Sequence, residues 1–348
     1  MRILVLAGGL SPEREVSLTS GSLIANALAS EGHDVLLLDV YLGAESIPTK
    51  ESFKRDVHYT HSVSEREPDL CLLKAESDNG EALIGKYVIE ACRLADVVFL
   101  ALHGASGENG QIQATLDAFG IRYTGSGYVG SLLAMDKDLS KKLLSAAGVP
   151  TPCGLTVEAG LEDAEMIERT VGYPMVVKPC SCGSSVGISM VNDRSELLAA
   201  LHHAFKYENR ILVEKRIVGR EFTMGVIDGS YLPPVEIITK EGFYDYKNKY
   251  QAGCTEEVCP AELPTEEVGK MGGLALKAFE AIRLRDYARF DFIRDHSGNF
   301  WCLEANTLPG MTPTSLLPQE AAAIGMSYGK LCVTLAELAL RHGGEANV

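Results

Sequence analysis

Two short stretches late in the 348-residue chain carry side chains suited to holding a metal ion and stabilising an anion. In Tyr287-Ala288-Arg289-Phe290-Asp291-Phe292, the two-residue period of a strand puts Arg289 and Asp291 on one face and Phe290 and Phe292 on the other. In Trp301-Cys302-Leu303-Glu304-Ala305-Asn306, the same period groups Glu304 with Asn306, and Leu303 with Ala305. Either strand alone fits a solvated sheet face. Together, Asp291, Glu304 and Asn306 offer hard oxygen donors suited to Mg²⁺, which commonly binds a few carboxylates plus substrate phosphates. Arg289 beside them can balance a developing anion.

Further upstream, Lys178-Pro179-Cys180-Ser181-Cys182-Gly183-Ser184-Ser185-Val186-Gly187 is a Gly/Ser loop after an apolar run. Such a loop exposes backbone N–H groups that can cap a phosphate, and Lys178 adds a point charge. No Gly-Lys-Ser/Thr closes it, so it is not a Walker loop. An ordinary loop reads the same way, and Lys137 in Met135-Asp136-Lys137 reads equally as a surface lysine. At the N-terminus, Gly8-Gly9-Leu10-Ser11-Pro12-Glu13 follows the first apolar run. Glu13 would repel a pyrophosphate and suit an ammonium group. His103 ends another apolar run and could reach the same crevice, since ligands of open α/β sheets bind at the carboxyl ends of strands. A satisfied structural histidine is the plainer reading.

These residues need elements to position them. The first 125 residues alternate strand-like and helix-like patterns: strands over 2–7, 34–40 and 96–102, helices over 17–30 and 87–94. That alternation indicates a parallel sheet with covering helices. Residues 42–68 are polar and poorly periodic, an irregular excursion. Gly125-Ser126-Gly127 marks a boundary. A helix then carries Met135-Asp136-Lys137 and runs to Gly148, where Pro150 and Pro152 stop it. Strands over 173–179, 189–191 and 210–215, with a helix over 195–205, complete a small α+β unit. Strands over 221–227, 232–238, 287–294 and 299–306 follow, with helices over 264–282 and 327–341. The polar, aromatic run 243–251 lies between them. The expected domains are 1–125, 126–214 and 215–348.

Composition narrows the function. Apolar residues make up 46% and charged residues 23%, so a globular chain is expected. Lys+Arg number 32 against 47 Asp+Glu, a formal charge of −15. A nucleic-acid partner is therefore not expected, because phosphate binding needs a basic face. No run approaches the length of a membrane span, and the short N-terminal apolar run does not make a signal peptide. We read a cytoplasmic protein with no membrane partner. Nine cysteines, an odd number, argue for reduced thiols.

Placed in order, these motifs resemble the D-alanine–D-alanine ligase family of ATP-grasp enzymes. The matches are Gly8-Gly9-x-Ser11-x-Glu13-Arg14-Glu15-Val16-Ser17, Leu102-His103-Gly104, Tyr123-Thr124-Gly125-Ser126-Gly127, Met135-Asp136-Lys137, Val177-Lys178-Pro179 and Gly183-Ser184-Ser185-Val186-Gly187. They continue through Glu214-Lys215, Tyr244-Asp245-Tyr246-x-x-Lys249-Tyr250, Cys259-Pro260-Ala261, Arg289-x-Asp291 and Leu303-Glu304-Ala305-Asn306-Thr307-x-Pro309-Gly310-Met311-Thr312. The resemblance spans residues 1–340 except the excursion.

It implies an α/β ATP-grasp fold of three α/β domains, the N-terminal one a parallel-sheet pre-ATP-grasp domain. ATP would lie between the central and C-terminal domains. Lys137 and Lys178 would contact phosphates. Glu214, Lys215 and Ile217 would line the adenine site, and Glu221 would hold the ribose. Asp291, Glu304 and Asn306 would hold two Mg²⁺, with Mn²⁺ as a substitute. Lys249 and Tyr250 would sit on a loop that closes over the site. Glu13, Ser184 and Tyr250 would orient the first D-alanine. Arg289 and the Gly310 backbone would stabilise the tetrahedral intermediate, and His103, Ser315 and Leu316 would meet substrate. A homodimer through the N-terminal domain is implied as well. The activity implied is ATP-dependent joining of two D-alanine molecules for peptidoglycan precursors.

Sister enzymes use D-serine or D-lactate as second substrate. The D-lactate group commonly replaces the loop tyrosine, which stands here as Tyr250. D-serine relatives often carry a polar residue where this chain has Leu316. D-alanine is the expected second substrate and D-serine the runner-up. Cys180-Ser181-Cys182 departs from relatives that carry a charged residue before the glycine. An NAD-dependent oxidoreductase is a rival reading, but the Gly-x-Gly-x-x-Gly fingerprint is missing. A binding protein without catalysis is another, though no expected metal or phosphate residue is lost.

Overall fold

The computed structural model describes residues 1–62, 68–183, 186–239 and 255–341. Strands β1 (Arg2–Ala7), β2 (Asp34–Asp39) and β3 (Val97–Leu100) form a parallel sheet in the order β2-β1-β3. β1 is central, and Ile3 through Ala7 are wholly buried, as expected of a strand covered on both faces. Helix Arg14–Ser30 packs Ile24, Ala25 and Leu28 into the same core. Its Ser17 hydroxyl accepts from the Gly8 N–H at 2.8 Å and donates to the Ala101 carbonyl at 2.6 Å. One side chain thus ties the helix to the ends of both β1 and β3. The closing helix Tyr328–Arg341 covers this sheet too, with Leu331, Leu335 and Leu338 buried.

The second sheet holds β4 (Gly154–Glu158), β5 (Met175–Pro179), β6 (Ser189–Val191) and β7 (Arg210–Lys215), antiparallel in the order β4-β7-β5-β6. Its core draws on residues between Val157 and Val213. The third sheet holds β8 (Gly219–Ile227), β9 (Ser230–Tyr231), β10 (Val235–Thr239), β11 (Thr255–Val258), β12 (Tyr287–Asp295) and β13 (Phe300–Asn306). Its order is β11-β10-β8-β12-β13, with β9 paired to β8. Phe222, Met224, Phe290 and Phe292 pack there against helix Thr265–Ala281. Ala134, Leu144 and Val149, early in the second third of the chain, join this core and not that of the second sheet.

Two expectations need correction. The helix expected through Met135-Asp136-Lys137 is two helices, Tyr128–Met135 and Lys137–Ala146. Asp136 is extended (φ −79°, ψ 99°), and its carboxylate accepts from the N–H groups of Asp138 and Leu139. A capping aspartate ends one helix register and starts the next. The strict alternation expected in β13 also fails. Asp291 pairs with Glu304 and Phe292 with Cys302, so Leu303 is the extra residue of a β-bulge.

Several short elements carry too weak a pattern to be anticipated: β4, β11, and helices Gln111–Ala118, Ala164–Thr170 and Leu316–Ala323. The excursion at 42–68 holds one short 3₁₀ turn, Lys50–Ser52, in its described part. The run 243–251 lies outside the described residues. No disulfide occurs among the described residues, where eight cysteines are free. No single described helix is long and apolar enough to cross a membrane. The closing helices Leu316–Ala323 and Tyr328–Arg341 are apolar together, but they meet at 103° and are buried in the fold.

Candidate active site

Because β1 and β3 are parallel neighbours, their carboxyl ends lie side by side. The Gly8-Gly9 turn leaves β1, and Leu102-His103-Gly104 leaves β3. Gly8 has φ +73° and lies against the Asp39 carboxylate, which also holds the Arg14 guanidinium. No side chain fits there. The turn delivers Glu13 to the N-cap of its helix and into a cavity of about 380 Å³. His103 lines the same cavity and lies 3.4 Å from the Ser20 hydroxyl.

The other walls of this cavity come from β12, β13 and the segment after them. Arg289, Glu304, Asn306, Gly310, Ser315 and Leu316 all line it. Ser315 caps helix Leu316–Ala323 in position only; its hydroxyl bonds the Thr312 hydroxyl at 2.8 Å. Leu316 is buried against Val235 and Ile237, leaving an apolar edge to the cavity. Lys137 is also here. Its ammonium donates to the Cys182 carbonyl at 2.8 Å and stands 3.6 Å from Glu304. The helix break at Asp136 makes this possible, since the Lys137 N–H also bonds the Cys180 carbonyl at 2.9 Å.

A second cavity, about 420 Å³, lies between the second and third sheets. Lys178, Glu214, Lys215, Ile217, Glu221 and Asp291 line it. Among the described residues, Glu304 is the one side chain that lines both cavities. The bulge turns Leu303 into the second cavity beside Glu304. Ser184, Lys249 and Tyr250 lie outside the described residues.

The wall between the cavities is a linked cluster. Arg289 clasps Asp291 through two bonds of 3.0 and 3.1 Å. Thr223 on β8 donates to Asp291 at 2.8 Å, and the Asn306 amide donates to it at 3.0 Å. Register fixes this, because β12 pairs Arg289 with Asn306 and Asp291 with Glu304. Asp291, Glu304 and Asn306 thus lie together at one strand pair. No three His, Cys, Asp or Glu form a metal cage among the described residues. Two carboxylates and an amide oxygen nonetheless fit Mg²⁺, which completes its shell with water and phosphate oxygens.

In the second cavity, Glu214 is 2% exposed and sits between two ammonium groups. Lys178 reaches it at 2.5 Å and Lys141 at 2.7 Å. Burial pushes the Glu214 carboxyl up, but Lys141 and Lys178 outweigh it and hold the pKa below the usual range. Burial also opposes the Lys178 charge, yet Glu214 and Glu304 leave that ammonium's pKa raised. For Lys141 burial is the largest influence, and with Lys178 as a like charge it outweighs the support of Glu214 and, more weakly, Cys302, so its pKa falls. Stripping one partner from a buried pair costs about 3–5 kcal/mol, so Glu214 is not a group that binding can leave bare.

Two residues at or behind these walls were not singled out from the sequence. Glu108 lines the first cavity, and its carboxylate accepts from the Gly104 N–H at 2.8 Å. Burial, then the neighbouring Glu13, push its pKa up to about 8. Its signal is position: five residues after His103, in the turn that leaves β3. Lys141 is the other, four residues after Lys137 and so on the same helix face. His103 is the counterpart of Glu108, since burial lowers its pKa below the ordinary value.

A cavity clasped between two antiparallel sheets, opening by one shared carboxylate onto a pocket at the ends of parallel strands, belongs to the ATP-grasp class. The comparisons with known proteins agree. The family described as "D-ala D-ala ligase N-terminus" matches residues 2–126, and "D-ala D-ala ligase C-terminus" matches 143–337. The D-alanine–D-alanine ligase of Pediococcus pentosaceus is 42% identical over 342 residues, covering 96% of each chain. The D-alanine–D-alanine ligase of Bacillus anthracis, solved in complex with ATP, superposes with a TM-score of 0.76 at 30% identity, covering 98% of each chain. The VanG D-Ala:D-Ser ligase of Enterococcus faecalis has the same TM-score, 0.76, at 28% identity, covering 97% of this chain and 99% of its own. The chain belongs to the D-alanine–D-alanine ligase family.

Proposed function

We infer that this chain joins two D-alanine molecules at the expense of ATP. The observation that carries this is the pair of cavities meeting at Glu304, one edged by Glu13 and Arg289, the other by Lys178. A carboxylate is a poor acyl donor at neutral pH. Transfer of the γ-phosphoryl group to the carboxylate oxygen of the first D-alanine releases ADP and leaves an acyl phosphate. The amine of the second D-alanine then attacks the carbonyl carbon. Phosphate leaves, and the new amide nitrogen gives up its proton.

We assign roles to this chain's groups on that basis. Glu13, with Ser184 and Tyr250, holds the first substrate's ammonium and orients its carboxylate. Arg289 and the Gly310 N–H lie where the oxyanion forms, and donors fixed at such a point act without reorganising. Lys137 and Lys178 meet the phosphates, Glu214, Lys215 and Ile217 the adenine, and Glu221 the ribose. Lys249 meets the nucleotide as well. Asp291, Glu304 and Asn306 would hold Mg²⁺, which when bound offsets charge on the transferring phosphoryl group. His103 meets substrate in the crevice of Glu13, Ser315 and Leu316 frame the second substrate, and the apolar Leu316 suits a methyl side chain. Domains 1–125, 126–214 and 215–348 supply these parts, and we propose a cytoplasmic homodimer through the first. Light scattering giving the mass of one chain would remove the dimer.

The direct test is ADP release with Mg²⁺-ATP and D-alanine, with products identified by mass. D-alanine alone should drive turnover and yield the dipeptide. D-serine or D-lactate added in competition should be incorporated less. ADP appearing only with a mixed pair would move the second-substrate reading to D-serine or D-lactate. No ADP with any pair would end the ligase reading.

A further inference from the structure

Lys141 is buried and ion-paired with Glu214, and no step above uses it. It leaves the same face of helix Lys137–Ala146 as Lys137, yet it lines neither cavity. Its ammonium instead lies behind Glu214, 2.7 Å from Oε2, while Lys178 takes Oε1 from the cavity side at 2.5 Å. All three side chains are nine-tenths or more buried.

The geometry creates a conflict that Lys141 resolves. A lysine that meets a phosphate must loosen its hold on a carboxylate. A buried carboxylate with no other partner would keep that lysine, because an uncompensated buried charge is costly. With Lys141 on the far oxygen, Glu214 stays paired when Lys178 moves. The group of two ammoniums and one carboxylate also carries a net charge of +1 toward the cavity, where the pair Lys178–Glu214 alone would carry none. We propose that Lys141 is a positioning residue that neutralises Glu214 from behind and so frees Lys178 for the phosphates of ATP. This rests on Lys178 being a phosphate contact, as assigned above.

Steady-state kinetics on the full-length protein test it, with Lys178→Met measured alongside. Lys141→Met should raise KM for ATP about tenfold, the scale of a charge-assisted contact. kcat and KM for D-alanine should move about threefold or less. Lys141→Arg keeps the charge and should recover most of the loss. Because Lys141 acts only through Glu214, adding Lys141→Met to Glu214→Gln should change KM for ATP little beyond Glu214→Gln alone. Lys141→Met still leaves Glu214 paired with Lys178, and Lys141→Gln, which keeps a donor to Glu214 without the charge, serves if Lys141→Met does not fold. An unchanged KM for ATP in folded Lys141→Met overturns the proposal. So does a full further loss in the Glu214→Gln background. If Lys178→Met itself leaves KM for ATP unchanged, the phosphate assignment of Lys178 has failed first.

Discussion

The second cavity, proposed for the nucleotide, holds its acids by pairing them with cations. Glu214 lies between Lys141 and Lys178, and Glu236 takes Arg220 through two bonds of 2.6 Å. The first cavity, proposed for the amino acids, uses protons as well. Glu108 keeps its proton to about pH 8, while burial makes His103 give its proton up readily. Both devices lower the cost of buried charge. They differ in what they leave for a ligand. Fixed cations suit a polyphosphate, which is anionic throughout the neutral range. Walls that set Glu13 against Arg289 and Lys137 suit a zwitterion, which brings a charge of each sign. The pH response should therefore come mainly from one cavity, and the charge-swap response from the other.

The largest expected effect lies on the wall the cavities share. Arg289→Met removes the guanidinium that clasps Asp291 and faces the amino-acid cavity. Turnover should fall about 10²–10³-fold, the scale of one lost oxyanion donor. A fall below tenfold would take Arg289 out of the chemistry. Glu13→Gln should act on one side only. KM for the first D-alanine should rise about tenfold, with KM for ATP steady. If both constants rise together, the two cavities are not separate sites.

The smallest effect is on stability and sharpens the proton half of the contrast. Glu108 ionises near 4.5 in the unfolded chain and near 8 in the folded one. Below pH 4.5 both states hold the proton and the group is neutral to stability. Between 4.5 and 8 only the folded state holds it, so stability falls as pH rises through that window. Glu108→Gln has no proton to lose. Its thermal midpoint should decline less than that of the natural protein between pH 5 and 8. Parallel curves would mean that Glu108 is ionised throughout. Glu320, buried and likewise raised, is common to both proteins and cancels.

Much of this was legible in the residues. The all-apolar run Ile3–Ala7 reads as a central strand because burial on both faces permits no alternation. Arg289 and Asp291 fall on one face by simple periodicity, and the structure keeps them there. Leu303 escapes the same rule, since a bulge depends on how β12 and β13 pair across space and leaves no mark in β13 alone. Asp136 is a plain N-cap residue in hindsight. An apolar helix pattern ran through it on both sides and hid the break. Glu108 and Lys141 owe their character to burial, which one sequence does not display. Their spacings, five after His103 and four after Lys137, were the available clues.

That Glu304, among the described residues, is the one carboxylate lining both cavities has a thermodynamic consequence. Glu304 faces the amino-acid pocket, the nucleotide pocket and, at 3.6 Å, the Lys137 ammonium. An occupant of either pocket that alters Glu304 alters the affinity of the other pocket. Linkage then requires the influence to be mutual and equal: whatever factor ATP imposes on D-alanine, D-alanine imposes on ATP. The partition between the two chambers is thus also the member through which each reports that it is filled.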